Sequence, residues 1–535
     1  MKAALTLRRH GSAQPAWWVA ACAAACLSGP PLALASPAGA PAVLQSCRLP
    51  GVAPAALCGQ LRRPLDPGQP QGTQIDLHYA VLPALARRKA ADPVFFFAGG
   101  PGQSAIDLAG AFGGRFARLQ QRRDLVLVDQ RGTGRSAPLR CEDDRARARR
   151  RPLAEQADPA ARLARLQACR VALQALPHGD LRFYTTDIAV ADVDAVRQAL
   201  GAVQINAIGV SYGTRVVLAL LRLHPASVRR AVLDGVVPPD MRLPDAAARD
   251  QQAVLDALFQ ACAADAACRR RHPAPAAQLQ RLLDRLPVTV NLPQPVSGQP
   301  EPVSLDRDTV LGLLRAPLYQ PALAAALPAV LAEADAGRWA PLLALANPLG
   351  GSAASGIASG QHHAVVCNED LGPQVPAAVP GAVPAAAPAA VSASSPDAGH
   401  VGPAAQTAHS ASTVFGDSLA RQYRQACAGW PRAAVDPAFY RVPPATAPVW
   451  LLSGGLDPVT PPAHAERVAQ ALGPLARHTV VANAGHGVTA LGCLADAVAR
   501  FIIDDDIARL PAGADCAQTV PRPLVWQPPG LGAPP

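Results

Sequence analysis

The 535-residue sequence contains little lysine and few aromatic residues. Lys2 and Lys89 are its only lysines, so arginine supplies the other 47 of its 49 basic residues, while Phe, Trp and Tyr make up 4% of the chain. Apart from residues 145–151, the arginines are scattered among acidic residues, without interleaved aromatic rings on which bases could stack. The net charge of +10 therefore indicates a coding bias towards Ala, Arg, Pro and Gly, and we predict no nucleic-acid partner.

Long apolar segments are missing after the N-terminal region. No later stretch has 18 uninterrupted apolar residues, so we predict no stable membrane span. The first residues contain a basic stretch, an apolar run over 16–27 and the small-residue site Ala33-Leu34-Ala35, which is the order of a secretory signal peptide. We predict an exported protein, periplasmic or extracellular, that is cleaved after Ala35. Lipidation at Cys26 is the alternative, although residues 23–25 match the usual Leu-led lipobox poorly.

The twelve cysteines show no C-x-x-C spacing and no partnering histidine, so they do not indicate a zinc cluster. His362-His363 also lacks an acid or cysteine at ligand spacing in a stable element, and we predict no metal or cofactor. Cys22 and Cys26 would leave with the signal peptide, and ten cysteines would remain. In an oxidising compartment these predict five disulfides between sequence neighbours, one of several connectivities that the sequence allows. The predicted pairs are Cys47–Cys58, Cys141–Cys169, Cys262–Cys268, Cys367–Cys427 and Cys493–Cys516.

Short apolar runs alternate with helical periodicity in two parts of the chain, which predicts a doubly wound, mostly parallel α/β sheet. The predicted strands are residues 75–83, 94–97, 125–128, 205–210, 228–234, 449–452 and 478–481. The predicted helices are residues 160–176, 187–200, 214–223 and 491–503.

The alternation stops between residues 239 and 440, which we predict to form a mostly helical lid. Within it, residues 372–412 are a low-complexity insertion rich in Ala and Pro. The predicted organisation is a signal peptide over 1–35, a sheet-bearing core over 36–238, the lid over 239–440, the rest of the core over 441–520 and a Pro-rich tail over 521–535.

The sequence Gly209-Val210-Ser211-Tyr212-Gly213 lies where a predicted strand ends and a helix begins. This is the context of a nucleophile elbow, a tight turn that exposes the serine hydroxyl and needs glycine on both sides. A serine hydroxyl needs a base, and the base needs an orienting carboxylate, in the chain order Ser, acid, His. Asp457 and His486 follow two late strands in that order. We therefore predict Ser211, Asp457 and His486 as a catalytic triad.

Acyl transfer also needs N–H donors for the developing oxyanion. The backbone N–H of Tyr212 follows the nucleophile and is the first candidate. The loop Ala98-Gly99-Gly100-Pro101-Gly102 follows an early strand, and its paired glycines allow close approach of substrate. We predict Gly100 as the second donor, with Gly99 as the alternative.

Together these motifs resemble the proline iminopeptidase and tripeptidyl aminopeptidase group of α/β-hydrolase serine exopeptidases. The resemblance covers nearly the whole mature chain and implies an α/β-hydrolase fold with a helical lid inserted between late strands. It also implies Ser211 as nucleophile, Asp457 as orienting acid and His486 as general base. The matching motifs are residues 99–102, 129–136 (Asp-Gln-Arg-Gly-Thr-Gly-Arg-Ser), 209–213, 455–457 and 485–487, together with a C-terminal segment over 413–516.

The sequence departs from this family at two places. Ala98 stands where the family often has histidine, which leaves the positioning of the glycine loop open. The Ala/Pro insertion lies in the lid, the region that shapes specificity. In addition, Arg131 is expected to brace its loop through a carboxylate rather than touch substrate.

An aminopeptidase of this type must bind a free α-ammonium group, and a lid carboxylate is the natural partner. The segment Cys367-Asn368-Glu369-Asp370 resembles a Cys-x-acid segment in the family's lid, so Glu369 is the first candidate and Asp370 the second. The leading hypothesis is an exported serine exopeptidase that acts on peptides, of tripeptidyl or prolyl type. The alternatives are an esterase or amide hydrolase with the same triad, and a binding protein whose catalysis has lapsed.

Overall fold

A computed structural model of the chain describes residues 43–53, 55–141, 150–346, 356–372, 413–504 and 517–524. The predicted signal peptide, residues 373–412 of the Ala/Pro insertion and residues 525–535 of the tail lie outside these ranges. Within them, no helix is long and apolar enough to cross a membrane.

Nine strands form the main sheet, in the order β1-β2-β3-β5-β4-β6-β7-β10-β11. Strands β1, β2 and β3 pair in antiparallel fashion and β3 joins β5 in the same way, whereas all pairs from β5 to β11 are parallel. The strands of this sheet are β1 (Gln45–Cys47), β2 (Ala56–Pro64), β3 (Gln74–Leu82), β4 (Val94–Phe97), β5 (Leu125–Val128), β6 (Ile205–Val210), β7 (Val228–Asp234), β10 (Val449–Gly454) and β11 (Ala476–Val481).

Strand β4 shows why the parallel strands read as continuous apolar runs. All four of its residues are buried. Because side chains alternate along a strand, Phe95 and Phe97 pack in the core on one face of the sheet, and Phe96 packs in the core on the other face. Helices cover both faces, so apolar residues are favoured at every position of a central parallel strand.

The helices of the core and of the lid are numbered in chain order. Those before the lid are α1 (Ala109–Arg115), α2 (Ala117–Gln120), α3 (Leu153–Ala157), α4 (Pro159–Gln174), α5 (Thr186–Ala199) and α6 (Tyr212–Leu223). The lid contains α7 (Leu243–Ala264), α8 (Ala266–Arg271), α9 (Pro275–Asp284), α10 (Arg307–Leu318), α11 (Pro321–Ala324), α12 (Leu327–Asp335), α13 (Ala340–Ala346), α14 (Ser359–Val365) and α15 (Ser418–Cys427). The last two are α16 (Pro462–Leu472) and α17 (Leu494–Ile503).

The lid differs from the prediction in one respect, since it also contains a two-stranded antiparallel sheet of β8 (Val288–Pro293) and β9 (Pro300–Leu305). Both strands are short, and their exposed residues alternate with half-buried or buried ones, a pattern that a scan for long helices overlooks. Helices α7, α9, α10 and α12 contribute to an apolar core of the lid that is separate from the two cores of the main sheet.

Four of the five predicted disulfides are confirmed. They are Cys47–Cys58, Cys141–Cys169, Cys262–Cys268 and Cys367–Cys427. Cys493 is also disulfide-bonded, while Cys516, its predicted partner, lies outside the described residues.

Candidate active site

Ser211 stands alone between β6 and α6 in a conformation that few non-glycine residues adopt, with φ of +57° and ψ of −125°. Its N–H donates a hydrogen bond of 2.8 Å to the carbonyl of Asp234, at the end of the neighbouring strand β7. A Cβ atom on Gly209 would lie 2.4 Å from the carbonyl oxygen of Gly213, and one on Gly213 would lie 2.0 Å from that of Phe97. The two glycines therefore allow the tight turn that presents the Ser211 side chain.

His486 and Asp457 lie together in the loops that follow β11 and β10. The two side chains meet at 2.8 Å between His486 Nδ1 and Asp457 Oδ2. The carboxylate is fully buried, and its oxygens also accept hydrogen bonds from the N–H groups of Val459 and Thr460 and from the Thr460 hydroxyl. These bonds hold the carboxylate in one orientation against the imidazole ring.

The pKa values of the pair follow from this contact. Burial alone lowers the pKa of His486, but the adjacent Asp457 carboxylate outweighs it and raises the pKa above the ordinary value. Burial likewise favours protonation of Asp457, yet His486 and the bonds from Thr460 lower the pKa of Asp457 below its usual range. The pair is therefore arranged to stabilise an imidazolium beside a carboxylate.

Asp234 connects the serine turn with the histidine loop, and sequence reasoning missed it. Its carbonyl accepts the Ser211 N–H, while its buried carboxylate accepts the N–H groups of Val488 at 2.9 Å and Thr489 at 2.8 Å. A Cβ atom on Gly235 would lie 3.3 Å from His486 Cε1. Asp234 thus binds both the backbone of Ser211 and the loop that carries His486, which it contacts two residues after the histidine.

Tyr319, at the end of lid helix α10, covers the histidine loop from the lid side. Its carbonyl accepts the His486 N–H at 3.2 Å, and its ring meets the imidazole edge-on with 5.5 Å between ring centres. The sequence offers no motif for this residue, because it comes from the helical insert and contacts the site by its backbone and ring.

The predicted oxyanion loop passes directly over Ser211. A Cβ atom on Gly99 would lie 3.1 Å from Ser211 Cβ and 3.6 Å from Ser211 Oγ, so only glycine fits there without displacement. Gly100 has a φ of +109°, in the region that favours glycine. Among the described residues, no acceptor hydrogen-bonds the N–H of Gly100 or of Tyr212.

Asp129 and Arg131, from the 129–136 motif, have structural partners. The Asp129 carboxylate accepts bonds from the hydroxyl of Ser104, at 2.7 Å, and from the N–H of Ile106, just beyond the glycine loop. Arg131 binds Asp192 through two nitrogens, at 2.7 and 3.0 Å, in a buried pair. The expectation that Arg131 braces its loop through a carboxylate is confirmed.

Comparison with known proteins shows the fold and the family of the chain. Residues 92–326 match a family model described as alpha/beta hydrolase fold, and residues 412–516 match one described as TAP-like protein. Carboxylesterase B of Mycobacterium tuberculosis is 30% identical over 486 residues, which are 86% of this chain and 86% of that protein. The chain belongs to the α/β-hydrolase family. The predicted fold class is confirmed, and so is the resemblance to the tripeptidyl aminopeptidase group.

Two further relatives of this hydrolase match over shorter stretches. Serine protease Hip1 of Mycobacterium tuberculosis is 31% identical over 312 residues, 55% of this chain and 58% of that protein. Tripeptidyl aminopeptidase of Streptomyces lividans is 32% identical over 199 residues, 34% of this chain and 35% of that protein. The aligned part therefore covers less than two thirds of the length of each of these two proteins.

Glu369 and Asp370, the predicted amine-binding acids, are buried in the hydrolase against helix α6, which begins directly after Ser211. Asp370 accepts a 2.6 Å bond from Arg215 of α6, and Glu369 lies 3.5 Å from the same guanidinium nitrogen. Glu369 also accepts bonds from the N–H and hydroxyl of Thr186, whose hydroxyl meets the Tyr212 hydroxyl at 2.8 Å. Both carboxylates have internal partners and are 1–2% exposed, and their role in amine binding stays a prediction.

This buried network gives a stability prediction. Arg215→Met would leave two carboxylates without their cation, and breaking a buried pair in this way costs about 3–5 kcal/mol. Burial already raises the pKa of Glu369 to about 7, and losing Arg215 raises it further, so the loss of stability should be larger at pH 8 than at pH 5. Urea unfolding at both pH values, with disulfides intact, measures the effect. Arg338→Met, which removes the exposed Arg338–Glu333 pair, is the control and should leave the midpoint unchanged.

Within the described ranges, no group of three His, Cys, Asp or Glu side chains could hold a metal ion. His362 and His363 instead contact an aromatic cluster of the lid that includes Tyr423.

Proposed function

We propose that this hydrolase is an exported serine exopeptidase of the aminopeptidase type. The observation that carries the proposal is the buried Asp457 carboxylate, which holds His486 at 2.8 Å in a loop that Asp234 connects to the Ser211 backbone. In this proposal Ser211 is the nucleophile, His486 the general base and Asp457 the orienting acid.

The proposed reaction proceeds through an acyl-enzyme. Ser211 Oγ attacks the scissile carbonyl carbon while His486 Nε2 accepts the hydroxyl proton, and the N–H groups of Gly100 and Tyr212 stabilise the negative charge on the carbonyl oxygen. The imidazolium then gives its proton to the departing amine. A water molecule, deprotonated by His486, hydrolyses the ester to free Ser211 and release the acid.

The choice of a peptide substrate is supported by the TAP-like match over residues 412–516 and by relatives called serine protease and tripeptidyl aminopeptidase. Export is supported by four disulfides, since such bonds persist in oxidising compartments. The proposed leader, cleaved after Ala35, would direct that export.

The test of the peptidase proposal compares substrates with a free and a blocked N-terminus. Aminoacyl and tripeptidyl p-nitroanilides should be cleaved with kcat/KM about 5- to 150-fold above that of their N-acetylated forms, since an unpaired buried polar group at the amine site costs about 1–3 kcal/mol. The rates are followed by p-nitroaniline release. Equal rates for the free and acetylated anilides would contradict an exopeptidase.

An esterase is the second candidate, favoured by the likeness to Carboxylesterase B over 86% of both chains. p-Nitrophenyl acetate and butyrate, assayed beside the anilides, distinguish the two. Ester turnover without cleavage of any free-amine anilide or of peptides in a mixed pool would support the esterase.

A further inference from the structure

The lid reaches the proposed oxyanion loop through His362. This residue lies on α14, and its Nδ1 atom is 3.2 Å from the carbonyl oxygen of Pro101. Pro101 directly follows Gly100, whose N–H is the proposed oxyanion donor. A lid side chain therefore contacts the loop at the residue next to the donor.

The hydrogen-bond partners of His362 determine where its proton lies. A carbonyl oxygen only accepts, so Nδ1 carries the proton and donates to Pro101. The Nε2 atom then accepts from the hydroxyl of Tyr423, at 2.6 Å, on helix α15. Burial lowers the pKa of His362 to about 3, which keeps the ring neutral wherever His486 can act as a base.

The backbone just before α14 also contacts the glycine loop. The N–H of Ala358 donates a 2.8 Å bond to the carbonyl of Gly102, and Gln103 bridges Ile357 in antiparallel fashion. A Cβ atom on Gly102 would lie 2.6 Å from the Ala358 carbonyl oxygen, so this contact also requires glycine. The loop is thus bound to the lid at Pro101 and at the two residues that follow it.

A disulfide joins the two lid elements that make this contact. Cys367 follows α14, which carries His362, and Cys427 ends α15, one turn beyond Tyr423. The Cys367–Cys427 bond therefore keeps His362 and Tyr423 at a fixed separation, although residues 373–412 lie between them in the chain.

We propose that His362 is a positioning residue for the oxyanion hole, which holds the Pro101 carbonyl so that the Gly100 N–H is directed at the reacting carbonyl. From its place in the lid, His362 supports a loop in which Ala98 contributes only a methyl group. The inference rests on the proposed function, because it assumes that Gly100 is the oxyanion donor.

The test compares His362→Ala with the matched control His363→Ala. His363 is the next residue of the same helix, but its Nδ1 atom bonds the Ser359 carbonyl of its own helix, at 2.8 Å. His362→Ala should lower kcat about 10- to 100-fold with KM within about twofold, since removing a whole oxyanion donor costs about 10²–10³. The same substitution should weaken, by the same factor, the binding of a peptidyl trifluoromethyl ketone, whose adduct with serine mimics the oxyanion. His363→Ala should change neither.

Two further variants keep the test valid if His362→Ala does not fold. His362→Asn retains an N–H near the Nδ1 position and should recover most of kcat, whereas Tyr423→Phe removes the bond to Nε2 and should lower kcat about 2- to 10-fold. A wild-type kcat in His362→Ala would overturn the proposal. If His362→Ala does not fold, a wild-type kcat in Tyr423→Phe would overturn it. A loss confined to KM would also overturn it, because it would indicate contact with substrate.

Each variant is compared with wild type on p-nitrophenyl acetate as well as on the anilides. Absence of peptide cleavage by the wild type would contradict the proposed peptidase alone. The ratio of variant to wild-type ester turnover would still decide the role of His362, because the ester reaction forms the same oxyanion.

Discussion

Replacing Ser211 with alanine is expected to lower kcat about 10⁵- to 10⁶-fold, the scale at which loss of a serine nucleophile removes the covalent pathway. The turn itself should survive, because its geometry depends on Gly209, on Gly213 and on the bond from the Ser211 N–H to the Asp234 carbonyl. Anilide turnover is measured with a tripeptidyl substrate. Labelling by a fluorophosphonate, which reacts with the wild-type hydroxyl, should disappear.

Ser227→Ala provides the matched control. Ser211 and Ser227 lie at opposite ends of the stretch that contains α6, and the Ser227 hydroxyl bonds only the His224 carbonyl, at 2.8 Å. This variant should retain wild-type turnover and labelling. Persistent fluorophosphonate labelling of Ser211→Ala, or turnover within 10-fold of wild type, would rule out Ser211 as the nucleophile.

The strands of the core could be predicted with little error because each is a short buried run with a local signal. Residues 94–97, 125–128, 205–210 and 228–234 are strands with the predicted boundaries. The hairpin of β1 and β2 has no clear local signal, since β2 contains a glycine, two adjacent arginines and a proline and does not alternate polar and apolar residues. Whether β2 forms a strand depends on its pairing with β1 and β3, which its own sequence pattern does not indicate.

The candidate triad could be predicted for a similar reason, since each member lies in a loop with its own glycine signature. Asp457 and His486 are 29 residues apart in sequence, and one strand–helix–strand unit was enough to expect them together. The prediction that Glu369 or Asp370 binds an amine rests on the same local reasoning and stays a prediction, but the local pattern gives no sign of their contact with Arg215. That cation lies 154 residues from Glu369, inside helix α6, where its apolar neighbours suggest only packing.

Residues that act on the site through other residues gave no signal in the sequence. Asp234 ends a strand, and Tyr319 ends a lid helix, in sequence contexts that also occur in purely structural segments. The pair His362-His363 suggests metal coordination before it suggests a contact with a backbone carbonyl. The folded lid alone brings His362 to Pro101, at 3.2 Å.

Replacing Asp457 with asparagine is expected to lower kcat about 10⁴-fold, because the change favours the wrong tautomer of the general base. Oδ1 of Asp457 accepts the N–H groups of Val459 and Thr460, so the amide oxygen of asparagine must occupy that position. The amide nitrogen then faces His486 Nδ1 and donates to it. The ring proton moves to Nε2, which can no longer accept the proton of Ser211.

The same change should alter the pH dependence in a defined direction. In the wild type the Asp457 carboxylate raises the pKa of His486, so kcat/KM should fall as the pH drops through that raised value and the base becomes protonated. Without the carboxylate, the pKa of His486 loses the main contribution that raises it, while burial still lowers it and Asp234 still raises it. The acid limb of the residual activity should therefore move to lower pH.

Asp240→Asn is the control for this pH experiment. Asp240 pairs with Arg467 in a surface ion pair, at 2.6 Å, and its replacement should leave both kcat and the acid limb unchanged. Steady-state profiles between pH 4 and 9, with turnover corrected for the fraction of enzyme that labels, measure both effects. An acid limb that stays in place or moves to higher pH in Asp457→Asn would show that Asp457 does not act on the catalytic base. A loss of kcat with an unmoved limb would then point to a contribution of Asp457 to folding of the loop, through its bonds to Val459 and Thr460, rather than to the charge beside His486.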